Sequence, residues 1–100
     1  MAWERLGLNE RQYRRAQFLR MKLEEQAAES AQTVLTNFAP AESQFGKEFE
    51  TRFAEVKRLL SEFHPHAMSV RVAAEALHRL HQKVKELRLA ARFAAQLSLR

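Results

Sequence analysis

Two prolines divide this chain into three long stretches in which apolar residues recur at helical spacing. Pro40 and Pro65 each lack a backbone N–H group, and a proline ring clashes with the preceding helical turn, so helices end near both positions. Within the stretches, apolar residues follow steps of three and four, and no stretch alternates as a β-strand does. The spacing predicts helices over about 9–38, 41–63 and 67–99, after an N-terminal tail of residues 1–8.

The first predicted helix begins with a capping sequence. Asn9 can accept a hydrogen bond from an N–H group of the first turn, and Gln12 can reach back to Asn9. Leu8 can pack onto Tyr13 across the cap. Further along, Arg20 and Glu24 interrupt the apolar stripe, so either they pair with each other or the helix faces water there. The stripe itself consists of Tyr13, Ala16, Leu23, Ala27, Ala31, Val34 and Phe38.

The other two predicted helices carry more regular stripes. The second is the most clearly amphipathic segment of the chain, with charged residues opposite its apolar face. The third starts either directly after Pro65 or at a Ser69 cap, and its stripe keeps a heptad spacing typical of a coiled-coil seam. The second stripe is Phe45, Phe49, Phe53, Val56, Leu60 and Phe63. The third is Val70, Ala73, Leu77, Leu80, Val84, Leu87, Ala91, Ala94 and Ser98.

The connections determine the topology. Only a few residues around Pro40 and Pro65 separate the helices, and short links make consecutive helices antiparallel neighbours. A chain of 100 residues forms one domain at most. We therefore predict an all-α fold, an antiparallel up-down-up three-helix bundle with long first and third helices and coiled-coil-like packing. Trp3, Leu6 and Leu8 of the tail are available to cover one end.

Two groups of apolar residues lie off these stripes. The second helix is the shortest, so the start of the first helix and the end of the third are expected to project beyond it at opposite ends. Exposed apolar patches of this kind mark interfaces, and a two-fold partner could use both together. The alternative is internal packing, with the tail or a bent first helix covering one patch. The predicted partner interface consists of Phe18, Met21, Leu89, Phe93 and Leu97.

Positive charge is concentrated in the first and last parts of the sequence. The net charge is +5. Residues 1–22 carry six basic and two acidic side chains, residues 23–69 carry four and eight, and residues 70–100 carry seven and two. Such segregation attracts an acidic protein or nucleic acid, although it also holds helices of opposite sign together. We predict that Arg88 and Arg92 form the electrostatic rim of the interface and prefer an acidic partner.

A nucleic acid is the alternative partner. One face of the third helix carries His81, Lys85, Arg88 and Arg92, and a row of cations can follow phosphates. A helix-turn-helix reader uses two short helices, and single-strand binding uses aromatic platforms; the pattern shows neither. This alternative is limited to non-specific phosphate contacts, predicted at Arg14, Arg15, Lys85, Arg88 and Arg92.

The sequence lacks the residues of the common catalytic and metal sites. It contains no cysteine and no aspartate, and its two glycines cannot build a phosphate loop. Of the four histidines, His66 and His78 are about 18 Å apart along a helix, whereas zinc–nitrogen bonds are about 2 Å long. We therefore expect no catalytic residue, no metal, no other cofactor and no small-molecule substrate.

The surroundings of the chain are also constrained by composition. No apolar run is long enough to cross a membrane, and we expect no membrane contact. The lack of cysteine fits a cytoplasmic location, which we predict. Arginine outnumbers lysine, a bias that indicates a bacterial or phage gene.

These features predict an interaction protein and not an enzyme. The first hypothesis is a non-enzymatic protein–protein interaction module: a small helical adaptor, or a chaperone-like or regulatory subunit. It would self-associate as a homo-oligomer such as a homodimer, or dock on a larger and partly acidic protein partner. The alternative hypothesis is a basic helical protein that contacts the phosphates of nucleic acid non-specifically.

Overall fold

The chain folds into three helices joined by short connections. A computed structural model describes residues 7–37 and 44–98, including the side chains of residues 7–34 and 47–93. The elements are α1 at Glu10–Asn37, α2 at Gln44–Glu62, a 3-10 turn at Pro65–Ala67, and α3 at Val70–Ser98. No strand occurs within the two described ranges, and the predicted all-α three-helix bundle is confirmed. The predictions for Trp3, Leu6, Phe38 and Pro40, and for the side chains of Phe45, Ala94, Leu97 and Ser98, lie outside the described residues.

Helix α3 is the central element of the bundle. It packs extensively against both α1 and α2, whereas α1 and α2 contact each other much less. Because consecutive helices are antiparallel, α1 and α3 run in the same direction and α2 runs against both. Each helix buries one stripe, as expected for an amphipathic helix. The heptad spacing of α3 lets one helix present its stripe to two neighbours.

The main core is built from the predicted stripes of all three helices. Val56 of α2 and Leu87 of α3 are completely buried, and Val34 of α1 is 1% exposed. Burying an aliphatic side chain of this size stabilises the fold by roughly 1.5–3 kcal/mol. The buried members of this core are Leu23, Ala27, Val34, Phe49, Val56, Leu60, Leu80, Val84, Leu87 and Ala91.

A second, smaller cluster closes the end of the bundle where α1 and α3 begin. Leu8 packs there with Ala16 of α1, Phe63 after α2 and Ala73 of α3. The residues that follow α2 therefore cover the start of α1. The predicted capping box, which positions Leu8, is confirmed: the Asn9 N–H donates to the Gln12 side chain at 3.0 Å, and the Gln12 N–H donates to Asn9 Oδ1 at 2.8 Å.

Gly7 makes the turn that brings Leu8 to this cluster. Its φ of +103° lies in the region that favours glycine. A Cβ atom at this position would lie 3.3 Å from the backbone nitrogen of Val70 and 3.5 Å from its Cγ2. The chain before α1 therefore passes close to the first turn of α3, with little room for a side chain.

The connection between α2 and α3 settles where α3 begins. Pro65 is buried and starts the 3-10 turn, but Met68 then adopts an extended backbone (φ −119°, ψ 148°), which a continuous helix does not allow. The helix therefore begins at Val70 and not at residue 67. Ser69 supplies the cap, because the Val72 N–H donates to Ser69 Oγ at 3.2 Å.

The helices lie level with one another more closely than their lengths indicate. Arg52 of α2 contacts Glu86 of α3 at 3.8 Å, and Glu55 contacts Lys83 at 3.7 Å. Because α2 and α3 are antiparallel, extending this alignment towards the start of α2 places its first residues beside Phe93. The expected overhang at the end of α3 is therefore wrong at this position, and any exposure there arises from the direction in which the side chains face.

Candidate protein interaction surfaces

Helix α1 exposes two large apolar side chains near its start. Phe18 is 52% exposed and Met21 is 47% exposed. Phe18 follows buried Ala16 by two positions, which turns it about 200° away from the core. The Lys22 ammonium lies 5.5 Å from the centroid of the Phe18 ring, so a cation covers part of this surface. We call Phe18 and Met21 the α1 patch.

Helix α3 exposes a second apolar pair, the α3 patch, made of Leu89 and Phe93. Their exposed fractions are 55% and 54%. Each follows a buried residue of the core stripe by two positions, Leu87 in one case and Ala91 in the other, and so faces outwards. Two of the predicted interface residues therefore form one surface on α3.

The structure does not bring the two patches together. Leu19 of α1 and Ala74 of α3 line the same groove, so the α1 patch is level with the first turns of α3. Because the two helices run in the same direction, Leu89 lies about 20 Å further along the bundle than Phe18. The use of both patches by one two-fold partner stays a prediction.

Cations border one side of the α3 patch, and Glu86 lies one turn before Leu89 on the other side. Lys85, Arg88 and Arg92 are all exposed on α3. Arg88 also lines a groove between α1 and α3, the cationic groove. No acidic side chain lines this groove, whose walls are Leu19, Lys22, Leu23, Gln26, Ala74, Leu77, His78, His81 and Arg88. Of the two predicted rim residues, Arg88 borders both the apolar patch and this groove, whereas Arg92 does not line the groove.

The remaining predicted phosphate contacts lie far from these cations. Arg14 and Arg15 are exposed near the start of α1, where Arg14 forms an ion pair with Glu10 at 2.7 Å. Since the start of α1 is level with the start of α3, these arginines are separated from Arg88 by more than 20 Å. The basic residues thus form two groups, one towards each end of the bundle.

Two exposed valines of α3 were not predicted. Val72 is 49% exposed, and Val70, which the heptad spacing assigns to the seam, is 43% exposed. Their position in the first turn explains this, because Val70 directly follows the Ser69 cap. Val72 lies off every predicted stripe, and this position alone could have predicted its exposure. The cationic groove had no comparable signal, since it depends on which helices are neighbours.

The histidines do not assemble into a metal site among the described residues. The rings of His64 and His66 have centroids 6.0 Å apart, and His78 and His81 lie one turn apart on α3. All four are exposed. No group of three histidine or acidic side chains that could hold a metal ion occurs in the part of the chain that the structure describes. Within that part, no helix has the length and apolar character needed to cross a membrane.

Comparison with known proteins gives no relative from which a function could be transferred. No protein-family model matches the chain, no curated protein matches its sequence, and no solved structure matches it.

Proposed function

We propose that this protein is a non-enzymatic interaction module that docks on an acidic surface of a larger protein through its α3 patch. The observation that carries the proposal is the exposure of Leu89 and Phe93, each more than half accessible, on a helix whose opposite face forms the core of the bundle. Isolated exposed apolar residues are common on proteins, but a large aromatic and an aliphatic side chain one turn apart make an anchor for a partner.

Charge gives this anchor its preference. Lys85, Arg88 and Arg92 border the side of the α3 patch that faces α1. Cations at the rim of an interface accelerate association with an acidic partner and disfavour basic ones. Burial of the remaining accessible surface of Leu89 and Phe93 would contribute roughly 1 kcal/mol each, since full burial of such a side chain contributes roughly 1.5–3 kcal/mol. A contact of this kind is modest in affinity and sensitive to salt.

Capture of partners from a host lysate tests the proposal. The baits are the wild-type protein, Phe93→Glu, and Val72→Glu as a matched control, because Val72 is a similarly exposed apolar residue at the other end of α3. We expect an acidic protein to be retained by the wild type and by Val72→Glu, to be lost with Phe93→Glu, and to be released by salt. Identical captured proteins on all three baits would overturn the proposal. Circular dichroism of each bait confirms that it is folded.

Nucleic-acid binding remains a second candidate because of the cationic groove. Lys22, His78, His81 and Arg88 line it, no acidic side chain does, and Lys85 is exposed further along α3. Phosphate contacts would make affinity fall steeply with salt concentration. The test is a salt series with random-sequence DNA and RNA, comparing the wild type with Arg88→Glu. Lack of binding at low salt excludes this candidate, whereas salt-sensitive binding that Arg88→Glu weakens supports it.

A further inference from the structure

The outer face of α1 carries a stripe with a regular spacing, which we call the outer seam. Its residues are all exposed and are separated by alternating steps of three and four, the spacing of a coiled-coil seam. The core stripe of α1 lies on the opposite side of the helix, so α3 and α2 leave this face uncovered. The outer seam consists of Arg11, Arg14, Phe18, Met21, Glu25 and Ala28.

The positions of the outer seam are symmetric about a point between Leu19 and Arg20, in the first half of α1. If a second α1 is laid antiparallel across a two-fold axis between Leu19 and Arg20, Phe18 meets the partner's Met21. The same operation places Arg14 opposite the partner's Glu25. A two-fold axis repeats each contact, so the dimer has two apolar contacts and two pairs of opposite charge.

The charge order along α1 selects this antiparallel arrangement. Basic residues predominate before the α1 patch, where Arg11, Arg14 and Arg15 outnumber Glu10. Acidic residues predominate after it, where Glu24, Glu25 and Glu29 outnumber Lys22. In an antiparallel pair each basic half lies against an acidic half, which is favourable. A parallel pair would place arginine against arginine and glutamate against glutamate.

We propose that α1 is the interface of a two-fold dimer of this chain, formed by antiparallel pairing of the outer seam. The dimer deepens the proposed role as an interaction module and rests on it, but it uses a different surface from the α3 patch. That patch is not self-complementary in the same way, because Lys85, Arg88 and Arg92 would meet like charges in a second copy.

The ion pairs within α1 do not prevent Arg14 and Glu25 from pairing across the proposed dimer interface. Arg14 contacts Glu10 within its own helix, with side chains 77% and 62% exposed, and Lys22 contacts Glu25 at 3.9 Å, with side chains 52% and 55% exposed. Exposed pairs of this kind hold their side chains weakly. A single pair of helices buries a small interface, so the dimer is expected to be weak and to dissociate as salt is raised.

Charge reversal on the full-length chain tests the pairing of Arg14 with Glu25. Arg14→Glu and Glu25→Arg are each expected to raise the dimer dissociation constant at least about tenfold, because each replaces two attractions with two repulsions. The two variants mixed are expected to form a heterodimer, since every contact then joins opposite charges. The double variant Arg14→Glu/Glu25→Arg is expected to form a homodimer again. Sedimentation equilibrium at low salt and up to about 1 mM protein measures all of these states.

Arg71→Glu is the matched control for Arg14→Glu. It makes the same change of charge at an exposed residue that is also paired one turn away, here with Glu75 at 3.5 Å, but it lies on α3. We expect it to leave dimerisation unchanged. Circular dichroism and thermal unfolding establish that each variant is folded.

Three outcomes would overturn the proposal. The first is a wild-type protein that stays monomeric throughout the concentration range. The second is a dimer that tolerates both reversals on α1 but is lost with Phe93→Glu, because it would place the second copy on the α3 patch. The third is a dimer that is lost with each single reversal and is recovered neither in the mixture of the two variants nor in the double variant. Partner capture that depends on Phe93 without any dimer would retain the proposed function and exclude only the α1 pairing.

Discussion

The guanidinium of Arg20, in α1, donates a hydrogen bond of 3.2 Å to the backbone carbonyl of Leu60, in the last turn of α2. The same side chain forms an ion pair with Glu24 at 3.2 Å. Carbonyl groups in the last turn of a helix lack donors within the helix and lie at its negative end, so a cation is favourable there. A charged residue in the inner region of α1 thereby connects the two helices that contact each other least.

Replacement of Arg20 by methionine should reveal the contribution of this contact. Methionine keeps much of the aliphatic stem and removes the donor. Because the Arg20 side chain is 31% exposed, we expect the free energy of unfolding to fall by only about 1 kcal/mol. Arg14→Met is the control, since it removes an exposed ion pair within α1 and should change stability by less than about 0.5 kcal/mol. Urea unfolding of both variants measures the difference, and equal effects would contradict the prediction.

Two leucines of α3 provide a matched test of core and surface. Leu87 is completely buried and Leu89 is 55% exposed, although only one residue separates them. We expect Leu87→Ala to lower the free energy of unfolding by about 2–5 kcal/mol, because it leaves a cavity between the helices. Leu89→Ala should change it by less than about 0.5 kcal/mol while weakening capture of the proposed partner. Similar losses of stability in chemical unfolding of the two variants would show that the faces of α3 are wrongly assigned.

The sequence predicted the fold because burial follows helical spacing closely. Each core position of α3 from Ala73 to Ala91 falls on the heptad stripe. The Asn9 side chain caps α1, as its position before the helix predicts. Outward direction was equally predictable for Phe18 and Leu89, since it depends only on the number of residues from the buried stripe. Local spacing therefore fixes which face of each helix is buried.

Relations between helices could not be obtained in this way. The level of α2 beside α3 depends on contacts such as Arg52 with Glu86, and helix length alone suggested an overhang where none exists at Phe93. The distance between the two patches depends on α1 and α3 running in the same direction. The sequence left open whether Arg20 pairs with Glu24 or faces water. Its contact with the Leu60 carbonyl could not be predicted, because that acceptor lies on another helix, 40 residues away in the chain.

The two glycines of the chain should respond oppositely to alanine. Gly7 has a φ of +103°, and a Cβ atom at this position would lie only 3.3 Å from the backbone nitrogen of Val70. We expect Gly7→Ala to lower the free energy of unfolding by about 1–2 kcal/mol. Gly46 lies within α2, where alanine is the better helix former, so Gly46→Ala should raise stability by about 0.5–1 kcal/mol. Thermal unfolding compares them, and a stabilising Gly7→Ala would be inconsistent with the turn described.

The two ion pairs that join α2 to α3, Arg52 with Glu86 and Glu55 with Lys83, should contribute little to stability. Lys83 lies 3.7 Å from both Glu55 and Glu86, beyond hydrogen-bonding distance, and all three side chains are at least 35% exposed. We expect Lys83→Met to lower the free energy of unfolding by less than about 1 kcal/mol at low salt and by almost nothing at high salt, because ions screen exposed charges. Leu80→Ala is the control, since it should lower the free energy of unfolding by the same amount at both salt concentrations. A salt-independent loss for Lys83→Met in urea unfolding would mean that its aliphatic chain, and not its charge, holds α3 against α2.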